Sequence, residues 1–186
     1  MERFNMMPTP IFGLMVAERL PIGDDRGSFE RVFCDQTFAP LGFTSPVRQI
    51  NRSITRQRGT IRGLHFQLSP HGEDKLVSCL RGEVFDVAVD LRHGSPTCLR
   101  WHGEILSAAN RRSLFIPKGF AHGLQTLSDD CELLYVHSAP YVAEAERGLF
   151  YADPKLSVKW PLPPAGLSHR DTLWPALTDD FTGIVP

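Results

Sequence analysis

An all-β fold of the double-sheet jelly-roll kind is what this sequence predicts. Three features point to it: short β-branched and aromatic runs, glycine and proline turns between them, and helical patterning confined to brief stretches. The runs are VRQINRSI from Val47, GTIRGLHFQ from Gly59, KLVSCL from Lys75, VFDVAVDL from Val84 and RSLFIP from Arg112. Each has strand length and residues that fit a pleated, half-buried surface. Gly82 stands between two runs, RHGSPT supplies Gly94 and Pro96, and PKGFAHG supplies Pro117, Gly119 and Gly123, all suited to tight turns. CDQTFAPLG around Gln36 is the helical stretch, so any helices should be short and peripheral.

The chain has 186 residues, 42% of them hydrophobic and 22% charged, enough to bury one core without disulfides or metals. A single domain over 1–186 is expected. The formal charge is −1 with no long run of one sign, which leaves no footprint for nucleic acid or an anionic membrane surface. Cys34, Cys79, Cys98 and Cys131 are scattered, without a C-x-x-C pair, as suits reduced thiols packed as small hydrophobes. The apolar patch from Ile11 to Ala17 lacks a basic leader and a cleavage site, and no window approaches the ~20 apolar residues of a membrane span. A cytoplasmic location follows as the expectation.

A small barrel of this kind often binds its ligand where inward side chains converge at an open mouth. In VRQINRSI, Gln49, Asn51 and Ser53 share one face of a period-two strand and Arg48, Ile50 and Arg52 the other. The polar row suits a pocket wall and the solvated face of an edge strand equally well. In IRGLHFQ, Arg62 and His65 would point to opposite faces of a regular strand, but a bulge at Gly63 would bring both to one cavity. The stretch IPKGFAHG is similar to the second cupin motif, with His122 at its histidine. The paired histidines and carboxylate of a cupin metal site are missing, since the residues two positions either side of His65 are Gly63 and Gln67. No metal is expected.

Six strings together resemble the dTDP-4-dehydrorhamnose 3,5-epimerase family: DDRGSF from Asp24, IRGLHFQ from Ile61, GEVFDVAVDLR from Gly82, IPKGFAHG from Ile116, ELLY ending at Tyr135, and DPKLSVKWP from Asp153. The resemblance spans most of the chain. It implies a cupin-like homodimer that needs no metal or organic cofactor and epimerises carbons beside the C4 ketone of a nucleotide-linked 4-keto-6-deoxy sugar. By the same resemblance His65 is the base, Asp171 its carboxylate partner, Tyr135 the general acid and Lys75 the enolate-stabilising cation. Arg62 would grip the diphosphate, and His122 and Asp86 would support His65 from behind. Arg26, Arg31, Gln49, Asn51 and Tyr141 complete the expected substrate contacts. By pattern alone Asp171 reads as a helix cap or a surface charge, Tyr135 as a core residue and Lys75 as a solvated one.

The departures from the family cluster at the base pocket. Arg31 stands where the family has a glutamate, Ile22 where an aromatic precedes the D-x-R-G string, and Pro140 before Tyr141 where two aromatics follow the acid. CDP- and GDP-linked sugars therefore stay open beside TDP, as does inversion at C3, C5 or both. Two rival classes are a metal-dependent cupin isomerase or oxygenase and a non-catalytic carbohydrate-binding jelly roll. The segment from Ile11 to Val16 is the expected strand for pairing with a second copy.

Overall fold

The structure, a computed structural model, describes residues 2–186. Thirteen strands follow in chain order. They are β1 (Phe4–Pro8), β2 (Met15–Arg19), β3 (Ile22–Asp24), β4 (Gly27–Phe29), β5 (Gln49–Thr55), β6 (Ile61–Gln67), β7 (Lys75–Arg81), β8 (Glu83–Asp90), β9 (Trp101–Ser107), β10 (Arg112–Ile116), β11 (Phe120–Thr126), β12 (Cys131–His137) and β13 (Glu146–Gly148). Two four-residue helices, α1 (Asp35–Phe38) and α2 (His169–Thr172), lie outside the sheets. The all-β expectation with short peripheral helices holds, and α1 falls within the stretch that predicted it.

A six-stranded sheet in the order β1-β2-β10-β7-β12-β5 faces a five-stranded sheet in the order β13-β6-β11-β8-β9, and β3 and β4 form a separate hairpin. Between the sheets lies a core that includes Val77, Val84, Ala88, Leu106, Leu114, Ile116, Phe120, Leu124 and Leu133. The sheets alternate inward and outward residues, so each outer face needs its own cover. Phe38 and Phe43 pack with Leu76, Phe115 and Val136 of the six-stranded sheet. Leu149, Leu156 and Leu177 pack with Val87, Val89 and Ala121 of the five-stranded one. Residues after β13 thus run along the second sheet and deliver α2 beside β6.

The segment from Ile11 to Val16 is not a free edge. Ile11 and Leu14 are buried, and Met15 and Val16 are paired with β1 on one side and β10 on the other. The edges of this sheet are β1 and β5 instead. The apolar character that suggested an intermolecular strand reflects burial within the fold.

Candidate active site

The sheets part at one end around a cavity of about 730 Å³, within the range of small-ligand sites. Residues from both sheets line it: Arg62, His65 and Gln67 of β6 and His122 of β11 on one wall, Asn51 and Ser53 of β5, Lys75 of β7, and Tyr135 and His137 of β12 on the other. Gly166 to Ser168, Arg170 and Asp171 close a side. The alternation left open for β5 is settled here, since Asn51 and Ser53 face the cavity while Ile50 and Ile54 face outward and are exposed.

A register shift brings Arg62 and His65 together. His122 pairs with His65 and Leu124 with Arg62, so three steps along β6 meet two along β11. The extra residue is accommodated around Gly63, at φ +105°, where a Cβ would stand 2.6 Å from the His122 carbonyl oxygen. Only glycine fits there. Both side chains line the same cavity in consequence.

His65 Nε2 lies 2.6 Å from Asp171 Oδ1. Asp171 sits in the first turn of α2, whose cap is Ser168: the Asp171 amide donates to Ser168 Oγ at 3.1 Å. The carboxylate therefore leaves the cap to its neighbour and turns to the imidazole. Burial pushes the Asp171 carboxyl up, but hydrogen bonds from His65 and Ser168 and the Gly63 amide outweigh it and hold the group below its ordinary value. An ionised carboxylate on Nε2 fixes the proton there and leaves the Nδ1 lone pair free for a base.

On the opposite sheet Tyr135 is packed edge-on to His122, with ring centroids 6.2 Å apart. Burial pushes its phenol up to about 12, and neighbouring Ser53 and Arg62 only partly oppose this. The hydroxyl stays protonated at neutral pH and can deliver a proton. His122 in turn is bound through Nε2 to both oxygens of the fully buried Asp86, at 3.0 and 2.9 Å. Asp86 thus holds His122, and His65 is served by Asp171 alone. Lys75 is buried, with Nζ 2.8 Å from Glu73 Oε1, and Glu73 accepts from Gln67 Nε2 at 2.7 Å. Gln67 also takes the Val142 amide at 2.6 Å and so fixes the segment carrying Tyr141. Arg62, at the exposed rim, donates through Nε to Thr55 Oγ1 at 2.9 Å.

His65, Asp171, Tyr135, Lys75, Asn51, Arg62, His122 and Tyr141 therefore share the cavity, with Asp86 behind His122. Gln49 is not a lining residue; its side-chain oxygen accepts the Tyr141 amide at 3.1 Å. Arg26 and Arg31 stand apart. All six residues of the β3–β4 hairpin are exposed, the Arg26 guanidinium turns back onto Asp24, and Arg31 is exposed between partly buried neighbours. The hairpin pairs with no strand of either sheet, and neither Arg26 nor Arg31 lines the cavity. Among the described residues no group of three His, Cys, Asp or Glu side chains is placed to hold a metal ion.

Sequence reasoning did not single out Gln67, Glu73, His137, Glu146, Ser168 or Arg170 as site residues. Gln67 and His137 were within reach of it, being two positions along their strands from His65 and Tyr135. At the rim, Arg170 Nη1 lies 2.7 Å from Glu146 Oε2, which also accepts the Tyr141 hydroxyl at 2.8 Å. Those three residues meet only through tertiary contact.

Comparison with known proteins adds independent support. The family model described as dTDP-4-dehydrorhamnose 3,5-epimerase matches residues 8–179. A dTDP-4-dehydrorhamnose 3,5-epimerase of Sinorhizobium fredii is 45% identical over 158 residues, 84% of this chain and 81% of the relative. The crystal structure of dTDP-6-deoxy-D-glucose-3,5-epimerase from Legionella pneumophila, in complex with dTDP-4-keto-L-rhamnose, is 42% identical. It superposes with a TM-score of 0.88 over 93% of this chain and 92% of that one. A 3'-monoepimerase from Streptomyces bikiniensis, in complex with dTDP-quinovose, is 33% identical, with a TM-score of 0.83 over 92% and 87% of the two chains.

Proposed function

This chain belongs to the dTDP-4-dehydrorhamnose 3,5-epimerase family, and from that membership we propose that His65, Tyr135 and Lys75 carry out the epimerisation of a dTDP-linked 4-keto-6-deoxy sugar. The protein is an isomerase acting on carbons beside the C4 ketone. His65 Nδ1 takes the proton from C3 or C5, and the C–H electrons form a C=C bond to C4 as the ketone oxygen becomes an oxyanion. The Lys75 ammonium lies beside that oxygen and stabilises it. As the C4 ketone re-forms, Tyr135 returns a proton to the opposite face of the carbon; the phenolate then regains a proton from solvent and the His65 imidazolium releases its own. The chemistry so written uses no metal or organic cofactor.

The observation that carries this reading is the placement of base and acid on opposing sheets. His65 is tied to Asp171 at 2.6 Å on β6, and a partly buried, protonated Tyr135 faces the same cavity from β12. A proton leaving one face of a sugar held between them is replaced on the other. Arg62, at the rim, suits the diphosphate through its guanidinium fork. Relatives bound to thymidine diphosphate sugars support dTDP over CDP or GDP as the carrier. A metal-dependent isomerase or oxygenase and a non-catalytic binding module explain the His65 to Asp171 pair less well.

The test is deuterium incorporation from D2O into dTDP-, CDP- and GDP-linked 4-keto-6-deoxy sugars, followed at C3 and C5 separately by NMR. Wild-type exchange in the dTDP sugar that disappears in His65→Ala supports the reading, and it also reports which carbon is inverted. Absence of exchange in every sugar overturns it.

We further propose that residues 1–186 act as one domain, because a single core fills the space between the sheets. A homodimer is proposed as well, supported by Ile50 and Ile54 exposed on the outer face of the edge strand β5 and by Ile22 and Phe29 on the hairpin. Light scattering at twice the chain mass is the expected result. Four free cysteines are consistent with a cytoplasmic, reducing location. No helix among the described residues is long and apolar enough to cross a membrane.

A further inference from the structure

Three imidazoles line the cavity, and carboxylates account for two of them. His65 is bonded to Asp171 and His122 to Asp86. His137 has none. It follows Tyr135 by two residues on β12, its ring is nearly parallel to the phenol at 15° with centroids 6.0 Å apart, and it pairs across the ladder with Lys75. The Glu73 carboxylate in this corner is already shared between Lys75 and Gln67.

The protonation of His137 follows from these neighbours. Burial first, then the positive charge of Lys75 and a smaller push from His122, outweigh the pull of Glu73 and bring the imidazole down to about 4. At neutral pH the ring is uncharged, with one N–H and one lone pair. Its Nε2 lies 3.4 Å from Asn51 Nδ2. With the Asn51 amide donating there, the ring proton is on Nδ1, which has no partner among the described residues. An unused N–H is therefore left on a cavity-lining ring that stacks beside the proposed acid and whose residue pairs across the ladder with Lys75.

We propose that His137 completes an oxyanion pocket with Lys75, donating a hydrogen bond from its neutral imidazole to the C4 oxygen of the bound sugar as the enolate forms. This rests on the function proposed above. A second base is the wrong role for His137, because no carboxylate stands behind it to receive an imidazolium charge. A neutral donor is the better partner for Lys75, since it stabilises the oxyanion without adding a second positive charge. Whichever flanking carbon loses its proton, the negative charge arrives at the same C4 oxygen, so the contribution is common to C3 and C5.

Two readouts test this. In the first, exchange kinetics are compared for wild type, His137→Leu and His137→Gln. The leucine variant is expected to slow kcat by about 100-fold, the size of one lost oxyanion donor, with KM changed less than about threefold. Where both carbons exchange, both slow by the same factor, and glutamine, which retains an N–H donor, recovers part of the rate. In the second, a sugar carrying 13C at C4 is bound to His65→Ala, which cannot turn it over. The bound carbonyl resonance is expected to lie downfield of its free position, and adding His137→Leu moves it back toward the free value. A C4 resonance indifferent to His137, wild-type rates in the leucine variant, or a raised KM with unchanged kcat overturns the inference. Should wild type exchange no proton, the proposed function falls, while the carbonyl resonance, which needs only binding, still decides the role of His137.

Discussion

The cavity wall and the β3–β4 hairpin both carry residues expected to touch one substrate, yet the chain supports them very differently. His65, Tyr135 and Lys75 each hang from a strand paired on both sides. β6 lies between β13 and β11, β12 between β7 and β5, and β7 between β10 and β12. The hairpin has three residue pairs, no neighbour in either sheet and every residue exposed. Groups that must meet a reacting carbon within fractions of an ångström sit where the backbone is fixed twice over. An exposed surface arm is adequate for affinity. The contrast predicts that wall substitutions change rate or stability and hairpin substitutions change neither by much.

The sharpest separation comes from His65→Ala, expected to lower proton exchange by about 10³-fold, in the usual span for a general base. Retention of the fold, checked by circular dichroism, is part of the expected outcome, because His65 is partly exposed and leaves no large cavity. Exchange within tenfold of wild type would break the comparison at its strongest point.

Glycines offer a second test, one in each region. Gly63→Ala puts a Cβ 2.6 Å from the His122 carbonyl oxygen and 2.7 Å from Gly123 Cα at a positive φ, with backbone on both sides that cannot give way. A loss of about 3 kcal/mol in unfolding free energy is expected, together with lost activity as Arg62 and His65 fall out of phase. Gly27→Ala, also at positive φ but with nothing within 4 Å, should cost about 1 kcal/mol and leave kcat unchanged. Equal losses by urea unfolding would contradict the difference in support.

How much of the molecule was legible in its sequence follows the same division. Strand alternation put Asn51 and Ser53 on one face of β5, because period-two geometry is local, but only the packed sheets show that this face turns inward. Gly63 betrayed the bulge, because two functional residues an odd number of positions apart reach one face only if the strand changes phase between them, and glycine is where it can. Asp171 was invisible to pattern, since its partner is 106 residues away and only the packing of the C-terminal segment on the five-stranded sheet joins them. Arg170 was missed for the same reason, since its partner Glu146 is 24 residues away. The segment from Ile11 to Val16 misled, because an apolar strand reads alike whether a sheet of its own chain or of another covers it.

Proton linkage gives a smaller effect with a definite sign. His137 is lowered from 6.5 to about 4 in the fold, so between those values the unfolded chain binds more protons than the native one. Native stability is then fully present above pH 6.5 and lost as pH falls toward 4, by about 3 kcal/mol. His137→Gln should flatten that interval in a pH series of urea unfolding curves. The lowered carboxylates, Asp171 in the wall and Asp24 in the hairpin, act elsewhere. Their contributions are present above the ordinary value of 3.8 and disappear only below it, so they leave the window assigned to His137 untouched. Because the raised Asp74 carboxyl acts with the opposite sign, the difference between the two proteins is what decides: identical pH dependence in wild type and His137→Gln would refute the lowered imidazole.

The smallest expected effect belongs to Arg26→Ala. The Arg26 guanidinium is almost fully exposed and bonded to Asp24 within its own hairpin, a pairing that water and salt screen to little or nothing. Removing it should change unfolding free energy by less than about 0.5 kcal/mol and leave kcat for proton exchange unaltered. Any consequence should appear as a raised KM, since an arm outside the cavity can add binding but cannot sharpen a proton transfer made between the sheets. A large fall in kcat would mean that the hairpin reaches the reacting carbons in the working enzyme, and the division between a rigid chemical wall and a loose binding arm would have to be redrawn around it.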